Sequence, residues 1–401
     1  MTVLSGPGSP ARPQMMRALN EQMLLEHIRA ASGISRADLS RISGLAKNTV
    51  SLALANLERA GLVRVSGVRT GMPGPAAVLY EIRPECGFVL GLDVGGEYLR
   101  GAICDVVGTV RAHQSVRARA TDGVGRVAEL AALAGSLLNG AGLTLADLSQ
   151  TVLGSPGVYD PRRDVLALAG GLPGWEDPAV LAALRQAFGD SLMIENDVDA
   201  AALAERAHGH GRDVDSFAFV SIGTGIGMGL VLGGRLHRGS HGAAGEIGYL
   251  ALDCGDSPDA EDVRRRGSLE ASASAAGIVR AARRAGMADA STARDIFAAA
   301  ARGDTTAAGV VAAEAALIAR AIGAVITVAD PDLIVLGGGV GQAAGFVDAV
   351  ADELHKFAPI YPELRVSALG VDAVVDGCLA AGVERAWQAI TATDTAAAAD
   401  T

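Results

Sequence analysis

Near the start of the chain Met16, Leu19, Met23, Leu24, His27 and Ile28 recur at spacings of three and four. That is the period of an amphipathic helix, and it predicts one from about Met15 to Ala31. Ser35, with Asp38 three residues on, can cap a second helix, and Gly44 suits its left-handed end. A third helix follows almost at once, with Val50, Leu54 and Leu57 on its inner side and a stop at Gly61. Two helices joined by a tight glycine turn make a helix-turn-helix. Short strands are predicted at Val63–Val65 and Val78–Ile82. Between them the Gly- and Pro-rich stretch from Ser66 to Pro75 has the form of a wing.

A winged helix reads DNA with the N-terminal residues of its third helix in the major groove, while the wing follows the backbone or the minor groove. The expected DNA contacts are Lys47, Asn48, Thr49 and Ser51 on the recognition helix, Arg36 on a phosphate and Arg69 on the wing. Asn can pair with adenine at two points, Lys can reach guanine or phosphate, and Ser or Thr can serve either. The alternative use of such a segment is as a packing or dimerisation module.

From Gly87 the pattern changes to apolar strand-like runs alternating with Ala-rich helices, which predicts an α/β fold. Phe88 to Val94 is a buried strand that carries Asp93 and runs into Gly95 and Gly96. Phe217 to Ile222 runs into Gly223-Thr224-Gly225-Ile226-Gly227, and Leu333 to Leu336 runs into Gly337-Gly338-Gly339. Glycines after a strand let backbone N–H groups approach a phosphate, and an acid at a strand end can hold magnesium.

With three such loops in this order the chain resembles the ROK family of sugar kinases and transcriptional repressors, which are built on an actin-like ATPase fold. The resemblance runs from the winged helix to about Trp387. Its most specific piece is Ser221 to Tyr249, with Ala244-Gly245-Glu246-Ile247-Gly248. Ser155-Pro156-Gly157, Leu172-Pro173-Gly174-Trp175 and Glu195-Asn196-Asp197 also match. The resemblance implies a two-lobe fold. Asp93, Gly95, Gly96, Gly223, Thr224, Gly225, Gly227 and Gly338 would be a relic nucleotide site. A sugar-like ligand would lie against Asn196, Asp197, Glu246, Tyr249, Glu270 and Gly171. Asp197 matches the base that takes a proton from a sugar hydroxyl in the family's kinases. Asn196-Asp197 would also serve as a plain helix cap.

Several positions depart from the family. Glu97 and Tyr98 stand where the kinases carry Thr and often Lys, and a carboxylate facing a triphosphate is repelled, which argues against ATP–magnesium. Gly171 replaces a sugar-contacting Asn, and Tyr249 replaces a His. The family's zinc-binding cysteine cluster is missing, with Ser268 in one cysteine's place, and Cys254 alone cannot build a tetrahedral site, so no zinc is expected. The wing has Gly71-Met72-Pro73 where repressors of the family carry Gly-Arg-Pro, and Ala46 replaces a capping Ser.

Charge adds one further point. The chain carries a net −11, but residues 1–83 hold ten Arg or Lys against five Asp or Glu, a basic end on an acidic body. Phosphate contacts need local positive charge rather than a basic whole. Cys86, Cys104, Cys254 and Cys378 lie far apart, which fits a reducing cytoplasm, and no uncharged apolar run long enough to cross a membrane is read.

The expected organisation is a disordered lead (1–13), a winged helix-turn-helix (14–84), lobe one (85–195), lobe two (196–388, with a possible return to lobe one) and a disordered tail (389–401). The expected function is a non-catalytic, cytoplasmic regulator, a repressor of carbohydrate genes. Its partners would be double-stranded operator DNA and a sugar or sugar-derived effector, and it would act as a homodimer or dimer of dimers. The alternatives are an active ATP-dependent sugar kinase with an appended DNA reader, and a DNA-binding protein whose lobes only dimerise.

Overall fold

The computed structural model describes residues 13–31, 33–70, 76–252 and 260–397. The lead before residue 13, the wing tip at Gly71-Met72-Pro73 and Cys254 lie outside the described residues.

Helix α1 (Pro13–Arg29) is followed by the two-residue strand β1 (Ile34–Ser35), α2 (Arg36–Ser43) and α3 (Lys47–Arg59). Strands β2 (Val63–Arg69) and β3 (Ala77–Ile82) complete a three-stranded sheet in the order β1-β3-β2. The Ser35 hydroxyl caps α2 by accepting from the Asp38 N–H at 3.2 Å, and Gly44 ends that helix at φ 72°. Val50, Leu54 and Leu57 are buried as their spacing requires.

The face of α1 differs from the expectation. Leu24, Leu25 and Ile28 are buried with Ala18, whereas Met16, Leu19 and Met23 are exposed. The three-and-four spacing of α1 is met by two overlapping stripes, and only packing against α3 and β3 chooses between them.

Lobe one is a five-stranded sheet in the order β10-β7-β4-β5-β6. It comprises β4 (Phe88–Val94), β5 (Tyr98–Asp105), β6 (Val110–Arg117), β7 (Leu148–Ser155) and β10 (Leu192–Asn196). A small hairpin of β8 (Val158–Asp160) and β9 (Val165–Ala167) follows β7. Helices α4 (Gly123–Ala141) and α5 (Pro178–Phe188) cover one face. β4 reads as an almost unbroken apolar run because, as in parallel sheets generally, both of its faces are covered.

Helix α6 (Asp197–His208) leads to lobe two, a sheet in the order β13-β12-β11-β14-β15. It is built from β11 (Phe217–Ile222), β12 (Ile226–Leu232), β13 (Arg235–Leu236), β14 (Leu333–Gly337) and β15 (Glu363–Val366). Both large sheets therefore use one scheme, an antiparallel meander extended by parallel strands. Helices α7 (Ala260–Arg266), α8 (Ser268–Ala273), α9 (Ala275–Arg284), α10 (Ala293–Ala301), α11 (Thr305–Ala329), α12 (Gly338–Gly341) and α13 (Phe346–Leu354) complete the lobe. By length and hydropathy alone α11 could cross a membrane, although Glu314 and Arg320 interrupt its apolar run. In the fold its Ile318, Ile322, Val325 and Ile326 are buried in the core of lobe two.

The chain then returns to lobe one as α14 (Ala373–Ala397). This helix runs past residue 389, where composition set the start of a disordered tail, because its Ala-rich sequence favours helix. Helices α6 and α14 cross between the sheets, with Ala200 and Cys378 buried beside Val152 of lobe one. The far part of α14 joins the winged helix. Leu24, Leu25, Ile28 and Tyr80 share one core with Val89, Cys104, Leu379, Ala386 and Trp387. Burying each such large apolar side chain contributes about 1.5–3 kcal/mol relative to exposure, so the winged-helix module is seated on the body.

Candidate functional site

The recognition helix starts at Lys47 after Ala46, whose extended backbone (φ −60°, ψ 145°) has the shape of an N-cap without a side-chain hydrogen bond. Lys47 and Asn48 are exposed, Thr49 and Ser51 are half-buried, and Leu52 is exposed beside them. The guanidinium of Arg36 donates to the Tyr80 hydroxyl at 2.9 and 2.5 Å and lies 5.5 Å from the ring centre. Arg69, on the ascending side of the wing, pairs with Asp38 at 2.7 Å. Asp38 also accepts from the Ser35 hydroxyl at 2.7 Å and from Arg41 at 3.0 Å. The Ser35 bond first, and then the Arg69 and Arg41 bonds, hold its carboxyl far below the ordinary range. Arg36, expected on a phosphate, and Arg69, expected on the wing, thus both have partners within the protein that orient them.

The second candidate site lies at the carboxyl ends of the parallel strands, where α/β sheets commonly bind ligands. Asn196 ends β10 and caps α6. Its Oδ1 accepts from the Val198 and Asp199 N–H groups at 2.9 and 3.0 Å, and its Nδ2 donates to the Gly157 carbonyl at 2.8 Å. The residue is therefore largely committed to holding the loop and the helix start. Asp197, beside it, accepts from the Val198 N–H at 2.8 Å. Burial, followed by the charges of Asp93 and Glu246, pushes its carboxyl up to about 7.

Burial and the Glu270 charge likewise push Glu246 up to about 7. Glu270 accepts from the Ile226 N–H at 2.8 Å, which takes up one backbone donor of the glycine loop, and burial raises its carboxyl as well. Tyr249 donates to the Arg265 carbonyl at 2.8 Å. Gly171 is exposed, with open space where a side chain would stand. This end of the cleft is thus a group of closely spaced carboxyls that repel one another, suited to hydrogen bonding with hydroxyls and unfavourable to an anion.

At the other end, Asp93 closes β4 and is buried. Arg100 on β5 stands directly across the ladder from it and donates to its carboxylate at 3.0 Å. The Gly95 N–H donates to the Tyr98 carbonyl within the connecting turn. Glu97 is exposed and lies 3.6 Å from Arg117. Gly223, Thr224 and Gly225 form the turn between β11 and β12, Gly227 follows within β12, and Gly338 (φ 75°) packs against the Ile222 backbone beside the turn. The second and third loops singled out from the sequence are therefore adjacent, with Gly223 beside Gly339 and Gly338 against the Ile222 backbone.

The Ser268 hydroxyl donates to the Leu252 carbonyl at 3.0 Å and Tyr249 is tied to Arg265. Among the described residues no group of three or more His, Cys, Asp or Glu could hold a metal.

Sequence reasoning missed Arg100, and also Arg238, which clamps the buried Glu195 at 3.0 and 3.1 Å. Arg100 could have been found, since a turn after Asp93 places the residue seven positions on directly opposite. Nothing local marks Arg238, 43 positions from its partner.

Comparison with known proteins fits this geometry. The model of the ROK family matches residues 89–379, and a winged helix-turn-helix DNA-binding model matches residues 19–64. The xylose repressor of Bacillus spizizenii is 24% identical over 238 residues, which cover 59% of this chain and 62% of that protein. The chain thus spans about three fifths of the length of the curated relatives it matches. Among solved structures, a ROK family transcriptional regulator described as a homolog of the E. coli MLC protein superposes with a TM-score of 0.75. It is 25% identical, and the match covers 95% of this chain and 99% of that one. The ROK hexokinase from Thermus thermophilus superposes with a TM-score of 0.62 at 31% identity, covering 73% of this chain and 97% of that one. A family match across most of the chain, together with the winged helix-turn-helix match before it, makes this protein a member of the ROK family with an N-terminal winged helix-turn-helix.

Proposed function

We propose that the protein is a DNA-binding transcription regulator, a repressor of carbohydrate-related genes, whose two lobes sense a neutral sugar or sugar derivative and perform no phosphoryl transfer. The observation that carries this reading is the continuous packing from cleft to DNA reader. Asp197 is the first residue of α6, α6 crosses α14, and the Trp387 end of α14 shares a core with α1. A ligand that draws the lobes together acts on the crossing, and the crossing acts on the seat of the winged helix.

In a homodimer, or a dimer of dimers, a small rotation of that seat changes the spacing of two recognition helices. Half-sites on DNA must match that spacing, so affinity changes. Lys47, Asn48, Thr49 and Ser51 meet the major groove, and Arg36 and Arg69 meet phosphates. Zinc and ATP–magnesium take no part. The xylose repressors among the relatives support a sugar as effector.

The test is retention of the promoter fragment beside the protein's own gene, measured across salt concentrations with and without a panel of neutral sugars. Salt-sensitive, sequence-selective retention that one sugar alters is the expected result. Retention that is absent or indifferent to sequence sinks the proposal.

A second reading, a sugar kinase with an appended DNA reader, draws on the resemblance to the Thermus hexokinase and on Asp197, whose carboxyl near 7 suits a general base. Incubation with ATP, magnesium and sugars decides it, since turnover lost in Asp197→Asn would favour the kinase. A third, in which the lobes only dimerise, predicts that no sugar raises the thermal stability.

A further inference from the structure

We propose that Arg100 is a built-in cation that closes the phosphate end of the cleft, so that this regulator senses its sugar without a nucleotide. The proposal rests on the non-catalytic reading above and adds the physical device behind it.

The geometry is specific. Asp93 is the buried acid at the end of β4, the position from which a carboxylate can hold a magnesium ion at a phosphate loop. Its direct partner in the antiparallel ladder is Arg100, whose Nη1 lies 3.0 Å from the carboxylate and whose side chain is itself mostly buried. The same guanidinium has its Nε 3.9 Å from Asp372, just before α14, and lies 5.5 Å from the ring centre of Tyr98. It is therefore held on three sides: by an ion pair, a second carboxylate and an aromatic face.

A magnesium ion on Asp93 would have to displace a guanidinium already neutralising that charge, and two cations cannot share one buried carboxylate at short range without strong repulsion. Glu97, in the same turn, is a further carboxylate, exposed and 3.6 Å from Arg117. Magnesium–ATP thus meets a metal seat already filled by Arg100. The sugar end of the cleft, built on Asp197, Glu246 and Glu270, keeps its own carboxyls, and the Asp93 charge that Arg100 pairs with is one that bears on Asp197.

Removing the resident cation should reopen the seat. Full-length protein, Arg100→Ala, Arg100→Gln and the double variant Arg100→Ala with Glu97→Thr would be titrated with the non-hydrolysable analogue AMPPNP, with and without magnesium, and heat would be recorded. Arg100→Gln keeps a hydrogen-bond donor for Asp93 should the alanine variant fold poorly. Melting temperature and promoter retention are measured in parallel.

The expected result is no magnesium-dependent binding to the unaltered protein at millimolar AMPPNP. A folded Arg100 variant should gain at least tenfold in affinity, and the double variant more. Two results would overturn the proposal: magnesium–AMPPNP binding to the unaltered protein as tightly as to the variants, or folded variants, the double one included, that gain nothing. Promoter retention separates this outcome from failure of the regulator reading, since a protein that still holds its promoter with a sugar response remains a regulator whatever nucleotide does.

Discussion

Gly377 of α14 lies directly over the Ala200 carbonyl of α6, so close that a methyl group built on the glycine would fall on that oxygen. The two helices that separate the lobes cross at this point, and the absence of a side chain is what brings their axes together. Gly377→Ala should therefore cost about 1–3 kcal/mol of stability, as overpacking does. Because the crossing lies between cleft and DNA reader, the variant should also weaken the effect of the sugar on promoter retention. Urea unfolding, with retention measured beside it, checks both. A variant of unchanged stability and unchanged sugar response contradicts the crossing as the point of transmission.

At the other end of α14, Trp387 is buried, donates from its indole to the Val106 carbonyl at 2.8 Å and carries Arg29 of α1 over its ring at 5.0 Å. Trp387→Ala should destabilise by about 3–5 kcal/mol, the usual cost of emptying an aromatic site. Arg29→Ala removes an exposed pair with Glu384 and the contact with the Trp387 ring, and should cost no more than about 2 kcal/mol of stability. Chemical denaturation of the two variants separates a core anchor from a surface contact.

The cleft carboxyls make stability depend on pH in an unusual direction. Asp197 and Glu246 are pushed up to about 7 in the folded chain, above their ordinary values of 3.8 and 4.5. Between about pH 4 and 7 the folded protein therefore binds more protons at these sites than the unfolded chain, and their contribution to stability falls as pH rises through that window. The melting temperature should drop between pH 5 and 8, and Asp197→Asn with Glu246→Gln should flatten the slope. A slope unaltered by the double variant excludes these groups as its source.

Ala46 offers a test of the recognition helix. It has N-cap backbone geometry without a capping side chain, so Ala46→Ser should add about 0.5–2 kcal/mol by supplying the missing acceptor. Lys47→Ala, one residue on, should leave stability nearly unchanged. It should weaken retention evenly across sequences and lower the salt slope by about one, if the lysine meets a phosphate. Loss confined to a single base position would instead assign Lys47 to a guanine.

The alternation of turn and apolar run was enough to mark the winged helix and the three glycine loops, because each depends on residues only a few positions apart, whereas the Asn196-Asp197 pair stood out through its resemblance to the ROK family. The cap at Ser35, the left-handed end at Gly44 and the buried face of α3 are local in the same way. What packing alone decided is of longer range. Only tertiary contact turned Leu24 and Leu25 of α1 inward rather than Met16 and Leu19, and laid α14 against both α6 and the DNA reader. Register across a hairpin set Arg100 against Asp93, and the fold of lobe two brought Arg238 to Glu195 across 43 positions. Short-range patterns report what a segment can form. Which of its possible faces is buried, and which charges meet, depends on the free energy of partners that the segment itself does not contain.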